Sequence, residues 1–420
     1  MFTITQIQVS HFLFAMGCLL ALAHILGYIC ERFYIPRVIG EVGAGIVLGP
    51  SLLGYFYPNA FEWMFNGFPL EHQLFGLIYQ LGLILLMFIS GLKFHTEFNK
   101  DDLKITAAIT IGSSVLPFII GWIVTSFLDM SKYVGDANNL LALKLVVCIS
   151  VAVTSIPVIS KIFIDLGIMK TRFAKLVIFI AGVHDILLWV VFGVATNLVA
   201  HHSNELSFGN IFLSIGITSL FLVGMLNLLR ILFKYLTVHD RNIFFRSSNL
   251  GYVLFILFIA CVSAYLFQVE TIFGALLVGI AAKIYLPGSI STKVEEGVSN
   301  LSFSWFVPIY FAVVGLQLDL AKSFDFLFFV KYLLIATLIQ ITIVYFICRL
   351  IKLNSLTSLN FGFAMNARGG PGIVLSTVAF MSGIINQELY SVLVLLALTT
   401  SWMAGTWLRF VLKNKWDFMQ

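Results

Sequence analysis

Apolar residues in this chain come in long unbroken runs, with neither the strict alternation of a strand nor the one-sided stripe of a surface helix. The runs fall at about 9–30, 36–55, 72–93, 103–128, 142–166, 171–200, 209–234, 246–267, 270–285, 298–318, 325–351, 356–383 and 387–412. Most are long enough to cross a roughly 30 Å hydrocarbon core as a helix. They are too long, and too uniformly apolar, to be the walls of a barrel. The pattern predicts an all-α polytopic membrane protein with about 13 transmembrane helices.

Two runs carry breaks near their middles. "VAVTSIPVISK" (151–161) puts Pro157 inside the fifth, and "NARGGPGIVL" (366–375) puts Gly369, Gly370, Pro371 and Gly372 inside the twelfth. Proline removes a backbone donor and displaces the carbonyl four residues earlier. The Gly-Gly-Pro-Gly stretch is expected not to form regular helix. Freed backbone groups survive in a membrane only where protein or a water-filled cavity satisfies them. The two runs are seven apart, an odd offset, so they cross in opposite directions. Interrupted helices at corresponding places in two inverted halves point to a secondary transporter's substrate site. Spans 1–6 and 8–13 are then the halves and span 7 the linker, within one membrane-embedded domain covering 1–420. No loop is long enough for a soluble domain.

Composition agrees with the pattern and removes other classes. The 420 residues are 60% hydrophobic and 11% charged, with a mean hydropathy of +1.00. With the N-terminus outside, all but five of the 25 Lys and Arg fall at cytoplasmic ends. The exceptions are Lys132, Lys144, Lys322 and Lys331 on the outer side and Arg368 within a span. That asymmetry is the positive-inside bias. It predicts a multi-pass protein of the cell membrane with a cytoplasmic C-terminus, and it makes the net charge of +5 no sign of a nucleic-acid partner. The start of the chain lacks a basic n-region and a cleavage site, so 9–30 is expected to be a span and not a signal peptide. The five cysteines are scattered singly, in no metal-binding or disulfide pattern. The sequence has no HExxH or GxSxG, and no cofactor is implied.

Ionisable groups deep in a span are functional candidates. The midpoint of the sixth run falls on Asp185, that of the twelfth beside Arg368, and that of the fifth on Thr154 and Ser155. A partly dehydrated alkali cation favours hard oxygen donors, and Asp185, Thr154, Ser155 and backbone carbonyls freed near Pro157 could supply them. Desolvation raises a buried carboxylate's pKa by up to about 3–5 units from roughly 3.9. One carboxylate can then exchange a proton for a cation near neutral pH. His184 has two readings, a neutral packing partner about 100° around the helix from Asp185 or a second proton carrier. Thr154 and Ser155 can instead bond back to the preceding turn. Arg368, beside Asn366, reads as a charge that neutralises half-helix carbonyls at the break more readily than as a ligand. Glu41 opens a short glycine-rich span and reads as a gate or cap residue. Ala181 and Gly182, at i−4 and i−3 from Asp185, leave room for another span to approach.

Five stretches together resemble a known family: "PRVIGEVGAGIVLGPSLLG" (36–54), "LGLILLMFISGLKF" (81–94), "TSIPVISKIFIDLGIMKTRFAKL" (154–176), "FVPIYFAVVGLQLDL" (306–320) and "FAMNARGGPGIVL" (363–375). They are similar to the monovalent cation:proton antiporters, in the second branch that holds bacterial sodium/proton and potassium/proton exchangers. The resemblance implies a gate part and a core part with crossed, unwound fifth and twelfth spans. It also implies a homodimer and alternating access. Under it Asp185 matches the essential aspartate, Thr154 the oxygen-donor position of the broken fifth span, and Arg368 the basic residue of the "RG" motif.

Two departures bear on stoichiometry. Electrogenic relatives pair two acids and carry a lysine in the tenth span, whereas this chain has His184 at the first position and no lysine in 298–318. Both point to one proton per Na+ or K+, an electroneutral exchange. A cation channel or uniporter, or an organic-solute carrier on the related fold, remain the alternatives. The aliphatic surroundings of Asp185 disfavour a large solute.

Overall fold

The computed structural model describes residues 5–33, 35–68, 70–93, 100–200, 208–235, 242–267, 269 and 271–419. Inside its helices the side chains at 100, 101, 157, 164, 165, 185, 186, 200, 208–215, 218 and 235 lie outside the description. The regular structure of the described residues is helical, apart from one isolated bridge between Val134 and Ile385. In order, the first helices are α1 Gln6–Arg32, α2 Arg37–Leu48, α3 Leu53–Phe56, α4 Pro58–Phe65, α5 Glu71–Leu92 and α6 Lys100–Phe127. Next come α7 Leu140–Ala152, α8 Ile156–Asp165, α9 Arg172–Ala200, α10 Phe208–Arg230, α11 Ile243–Ser247 and α12 Asn249–Leu266. The chain ends with α13 Thr271–Tyr285, α14 Gly288–Leu301, α15 Val307–Leu316, α16 Phe326–Leu350, α17 Ser355–Met365, α18 Gly369–Met381 and α19 Gln387–Lys413.

Among the described residues nine helical stretches are long and apolar enough to cross a membrane, and Leu140–Ala152 and Thr271–Tyr285 are shorter apolar helices. The predicted tenth run, 298–318, begins earlier than its hydropathy suggested. Helix starts at Gly288, directly after Pro287, and continues through a π-turn at Ser302–Phe306 to Leu316. No proline interrupts the polar segment 288–301, so helical hydrogen bonding extends beyond the apolar part.

The chain divides into two compact units, each drawing on both halves of the sequence. The first comprises Met1–Lys93, Met225–Tyr265 and Thr271–Phe324. Its helices meet at glycine pairs. A Cβ on Gly315 would lie 2.9 Å from Gly45 Cα, and one on Gly279 would lie 2.9 Å from Gly91 Cα. So α2 packs backbone to backbone on α15, and α5 does the same on α13. Such close approach gives van der Waals and Cα–H···O contact in an environment where the hydrophobic effect adds little.

The second unit comprises Phe94–Gly224, Leu266–Glu270 and Asp325–Gln420. It contains both interrupted runs. Each first half opens on an asparagine N-cap: Asn139 accepts from Ala142 N at 2.9 Å and Asn354 from Thr357 N at 2.7 Å. The loop before α7 is tied to the loop after α18, Gly135 N donating to Ile384 O and Ala137 N to Gly383 O. Lys132 in that loop reaches Glu388 at 3.0 Å and Asp325 at 3.7 Å.

The breaks lie slightly upstream of where Pro157 and the Gly-Gly-Pro-Gly run suggested. The fifth run is non-helical at 153–155 and the twelfth at 366–368. Gly369, Gly370, Pro371 and Gly372 form the first turn of α18, correcting the expectation that they could not be helical. First-turn N–H groups have no intrahelical acceptor, so a proline there forfeits nothing. Pro157, second in α8, obeys the same rule.

Candidate functional site

The two breaks meet in the second unit, and backbone and side-chain bonds tie them together. Ser155 N donates to Ala367 O at 2.7 Å, and the Thr154 hydroxyl donates to Met365 O at 2.6 Å. Met365 is the last residue of α17, so this carbonyl is one that the interruption frees from its helical partner. Gly369 sits at φ +34°, and a Cβ on it would lie 2.8 Å from Ser155 Oγ and 2.7 Å from Val158 Cβ. Only glycine fits there, for both backbone angle and space. The breaks are therefore packed against each other at van der Waals distance.

Arg368 locks the crossing. Its guanidinium, 1% exposed, donates from Nε to Ser150 O at 2.8 Å and from Nη2 to Val151 O and Ala336 O, both at 3.0 Å. Nη1 donates to the Asn366 side-chain oxygen at 2.6 Å. Ser150 and Val151 occupy the last turn of α7. The cation thus lies over the negative end of that half-helix dipole and satisfies its orphan carbonyls. A planar fork of five donors can serve acceptors on several helices at once, which an ammonium cannot.

Thr154, Ser155, His184, Asn366 and Arg368 all come together here. His184 is fully buried, with Nδ1 3.3 Å from Thr154 Oγ1 and Nε2 2.9 Å from Ser113 Oγ. Ser113 also donates to Ile109 O, and Thr154 to Met365 O. Either neutral tautomer of the imidazole is satisfied if one of these two hydroxyls turns toward it. The ring links α9 to α6 on one side and to the fifth-run break on the other. Asp185 follows on α9; its side chain is outside the description, as is that of Pro157. The Ser155 hydroxyl accepts from Val158 N at 3.3 Å, so it turns toward α8. Ala181 and Gly182 are both buried, as an approaching neighbour requires.

Glu41 is elsewhere. It belongs to the first unit, 5% exposed, accepting from Arg37 Nε at 3.1 Å. Arg37 in turn bonds His24 Nδ1 at 2.5 Å, and His24 Nε2 lies 2.9 Å from Ser304 O. Since Ser304 O only accepts, Nε2 carries the proton and Nδ1 is free to accept from Arg37.

Sequence reasoning missed Ser113 and Gln340. Gln340 is fully buried on α16 and donates from Nε2 to Ser113 O at 3.1 Å and Met365 O at 3.3 Å. The signal was present. Gln340 lies close to the midpoint of the predicted span 325–351, and the depth criterion applied to ionisable groups would have found it among uncharged ones.

The geometry can be set beside known proteins. The family profile "Sodium/hydrogen exchanger, transmembrane" matches residues 19–414. The chain is 30% identical over 392 residues to the Na(+)/H(+) antiporter NhaS4 of Synechocystis sp., covering 91% of this chain and 92% of that protein. It is 24% identical to the Na(+)/H(+)-K(+) antiporter GerN of Bacillus cereus, covering 96% of this chain and 97% of that protein. Against the K(+)/H(+) antiporter 1 of Saccharomyces cerevisiae it is 26% identical over 93% of its own length but only 45% of the yeast protein. The solved structure of the sodium proton antiporter MjNhaP1 from Methanocaldococcus jannaschii at pH 8 matches with TM-score 0.63 at 15% identity, over 97% of this chain and 98% of that chain. At that identity the likeness is one of fold. The chain belongs to the transmembrane sodium/hydrogen exchanger family, whose members are antiporters in the membrane and not enzymes.

Proposed function

We propose that this protein is a secondary active antiporter that exchanges a monovalent cation, Na+ or K+, for protons by alternating access, with Asp185 binding either one. One observation carries the reading. Two interrupted helices cross at a cluster of buried oxygens, and His184, the residue before Asp185, is bonded into that cluster through Thr154. Thr154 Oγ1 and freed carbonyls at the breaks are the hard donors an alkali cation takes beside a carboxylate. Ser155, turned toward α8, is the weaker ligand of the pair.

Competition for one carboxylate, with reorientation only when the site is occupied, makes exchange obligatory. His184 acts as a positioning residue in this scheme, a neutral imidazole that donates to one of the Ser113 and Thr154 hydroxyls and accepts from the other once that hydroxyl turns from its carbonyl. One proton then leaves for each cation that enters, and the cycle is electroneutral. Glu41, bonded to Arg37, is assigned to gating in the first unit. The protein works as a homodimer spanning the cell membrane, with its N-terminus outside and C-terminus in the cytoplasm.

The test is a fluorescence dequenching assay in everted vesicles, scanning Na+, K+ and Li+ across pH. Addition of cation should collapse a preformed pH gradient, and Asp185→Asn should abolish the response. Full activity in Asp185→Asn would refute the assignment. A cation flux that moves no protons would identify a channel instead.

A further inference from the structure

The interior of the second unit contains an amide that the scheme above does not use. Gln340 is 0% exposed, and its Nε2 faces two carbonyl oxygens, Ser113 O and Met365 O. Both partners can only accept, so nitrogen must face them and the side chain cannot be flipped without losing both bonds. The position of Oε1 is thereby fixed, and it has no hydrogen-bond partner among the described residues. A buried acceptor left unpaired costs about 1–3 kcal/mol, so a bound water or ion at Oε1 would recover it.

Its neighbours share the property. Thr337, three residues earlier on the same face of α16, is 7% exposed, and neither its Oγ1 nor the side-chain nitrogen of Asn366, at 0% exposure, has a partner among the described residues. Arg368 draws α16 against the breaks through Ala336 O. Met365 O accepts from both Thr154 and Gln340, so these two side chains flank one atom. Buried polar groups without partners among the described residues, gathered at one crossing, suit a site for water and ions.

We propose that Gln340 is a further cation ligand, its Oε1 binding the transported ion directly or through one water, with Thr337 Oγ1 beside it. Amide carbonyl oxygens are ordinary ligands for hard cations. Its Nε2 meanwhile fixes the Met365 carbonyl toward Thr154. The assignment makes α16 a ligand-bearing element in addition to α9 and the two breaks. It rests on the antiport reading above.

The experiment titrates Na+, K+ and Li+ against purified protein at alkaline pH. It follows the thermal midpoint, with choline chloride as the ionic-strength control, and the half-saturation of exchange in liposomes. Gln340→Met keeps the volume and removes both polar ends. Half-saturation should rise about tenfold, equivalent to about 1.4 kcal/mol, with maximal rate little changed and the order of preference among the three ions altered. Gln340→Asn keeps the amide one methylene shorter and should raise half-saturation less than Gln340→Met does. Thr337→Val, which keeps shape and loses the hydroxyl, should shift it in the same direction as Gln340→Met and carries the test if Gln340→Met does not fold. A Gln340→Met protein with unchanged half-saturation for all three ions and only a lower baseline midpoint overturns the ligand role; so does an unshifted Thr337→Val when it alone is testable. Asp185→Asn separates the two levels. If no alkali ion stabilises or drives the unsubstituted protein, the antiport reading fails. If Asp185→Asn abolishes a response that the α16 variants leave intact, only the Gln340 assignment fails.

Discussion

Arg368 shows how dipoles can hold a charge inside a membrane protein. Among the described residues its guanidinium donates to carbonyl oxygens on three elements and to the amide oxygen of Asn366. Removing the guanidinium strands several buried acceptors together. Arg368→Met should therefore cost at least about 3 kcal/mol, read as a lower thermal midpoint in detergent, together with loss of exchange. Arg368→Lys keeps the charge but not the fork, so it should recover only part of that stability. An unchanged midpoint in the methionine variant would remove Arg368 from the crossing. At this scale the sequence was most readable where a side chain was expensive. Charge at mid-span exposed Arg368 and the His184–Asp185 pair, and depth marked Thr154. Gln340 and Ser113 passed unremarked because neither is charged. The Met365 carbonyl could not be read at all, because every residue has one and only the fold decides which are freed. The His24–Arg37–Glu41 chain was equally hidden, since it joins helices whose contact is a tertiary fact.

Elements are held by absences of side chain as much as by side chains. Gly45 faces Gly315, and Gly91 faces Gly279, so in each contact a methyl group would force two backbones apart. Gly76, by contrast, has nothing within 4 Å of an added Cβ. Gly279→Ala should lower the thermal midpoint by several degrees, about 1–3 kcal/mol of overpacking, while Gly76→Ala should leave it unchanged or slightly raised. Equal effects at the two positions would show that the α5–α13 contact is not the constraint. The interruptions were legible as such from Pro157 and the Gly-Gly-Pro-Gly run, but their place was not. Those residues mark where a half-helix begins, and the gap lies just before them. The segment 288–297 was missed as helix because hydropathy reports membrane depth, and helical hydrogen bonding does not stop at the apolar boundary.

The loop before α7, bonded to the loop after α18, carries charge of another kind. Bonding leaves its mark on Lys132 and Asp129, outside the spans: the hydrogen bond to Glu388 raises Lys132 above its ordinary 10.5, and bonds from Ser131 hold Asp129 below 3.8. A raised lysine stabilises below its ordinary value and loses that as pH climbs through the shifted one. A lowered aspartate stabilises above its ordinary value and loses that as pH falls through the shifted one. Neither group changes charge between about pH 6 and 9. Lys132→Gln should accordingly leave the pH midpoint of exchange unmoved. A displaced midpoint would place part of the pH response in this loop.

For the whole molecule, one-for-one exchange makes a thermodynamic demand that no single residue makes. If each cycle moves one cation one way and one proton the other, no net charge crosses, and flux stops when the cation ratio across the membrane equals the proton ratio. One pH unit is about 1.4 kcal/mol, so a tenfold cation gradient in the same direction should balance it. An imposed potential contributes about 2.3 kcal/mol per charge per 100 mV, but only to a cycle that moves net charge. Proteoliposomes with one pH unit across the membrane should therefore show no net proton movement at a tenfold cation ratio, and clamping the potential at different values should not move that null point. With two protons per cation the balance would need a hundredfold ratio at zero potential, and the null point would shift with voltage. His184 decides between the outcomes: if its imidazole carries a proton through the cycle, His184→Asn should convert a voltage-dependent null point into a voltage-independent one. If it only positions Thr154 and Ser113, as its two hydrogen bonds indicate, the null point of the unsubstituted protein is already independent of voltage and His184→Asn changes the rate alone.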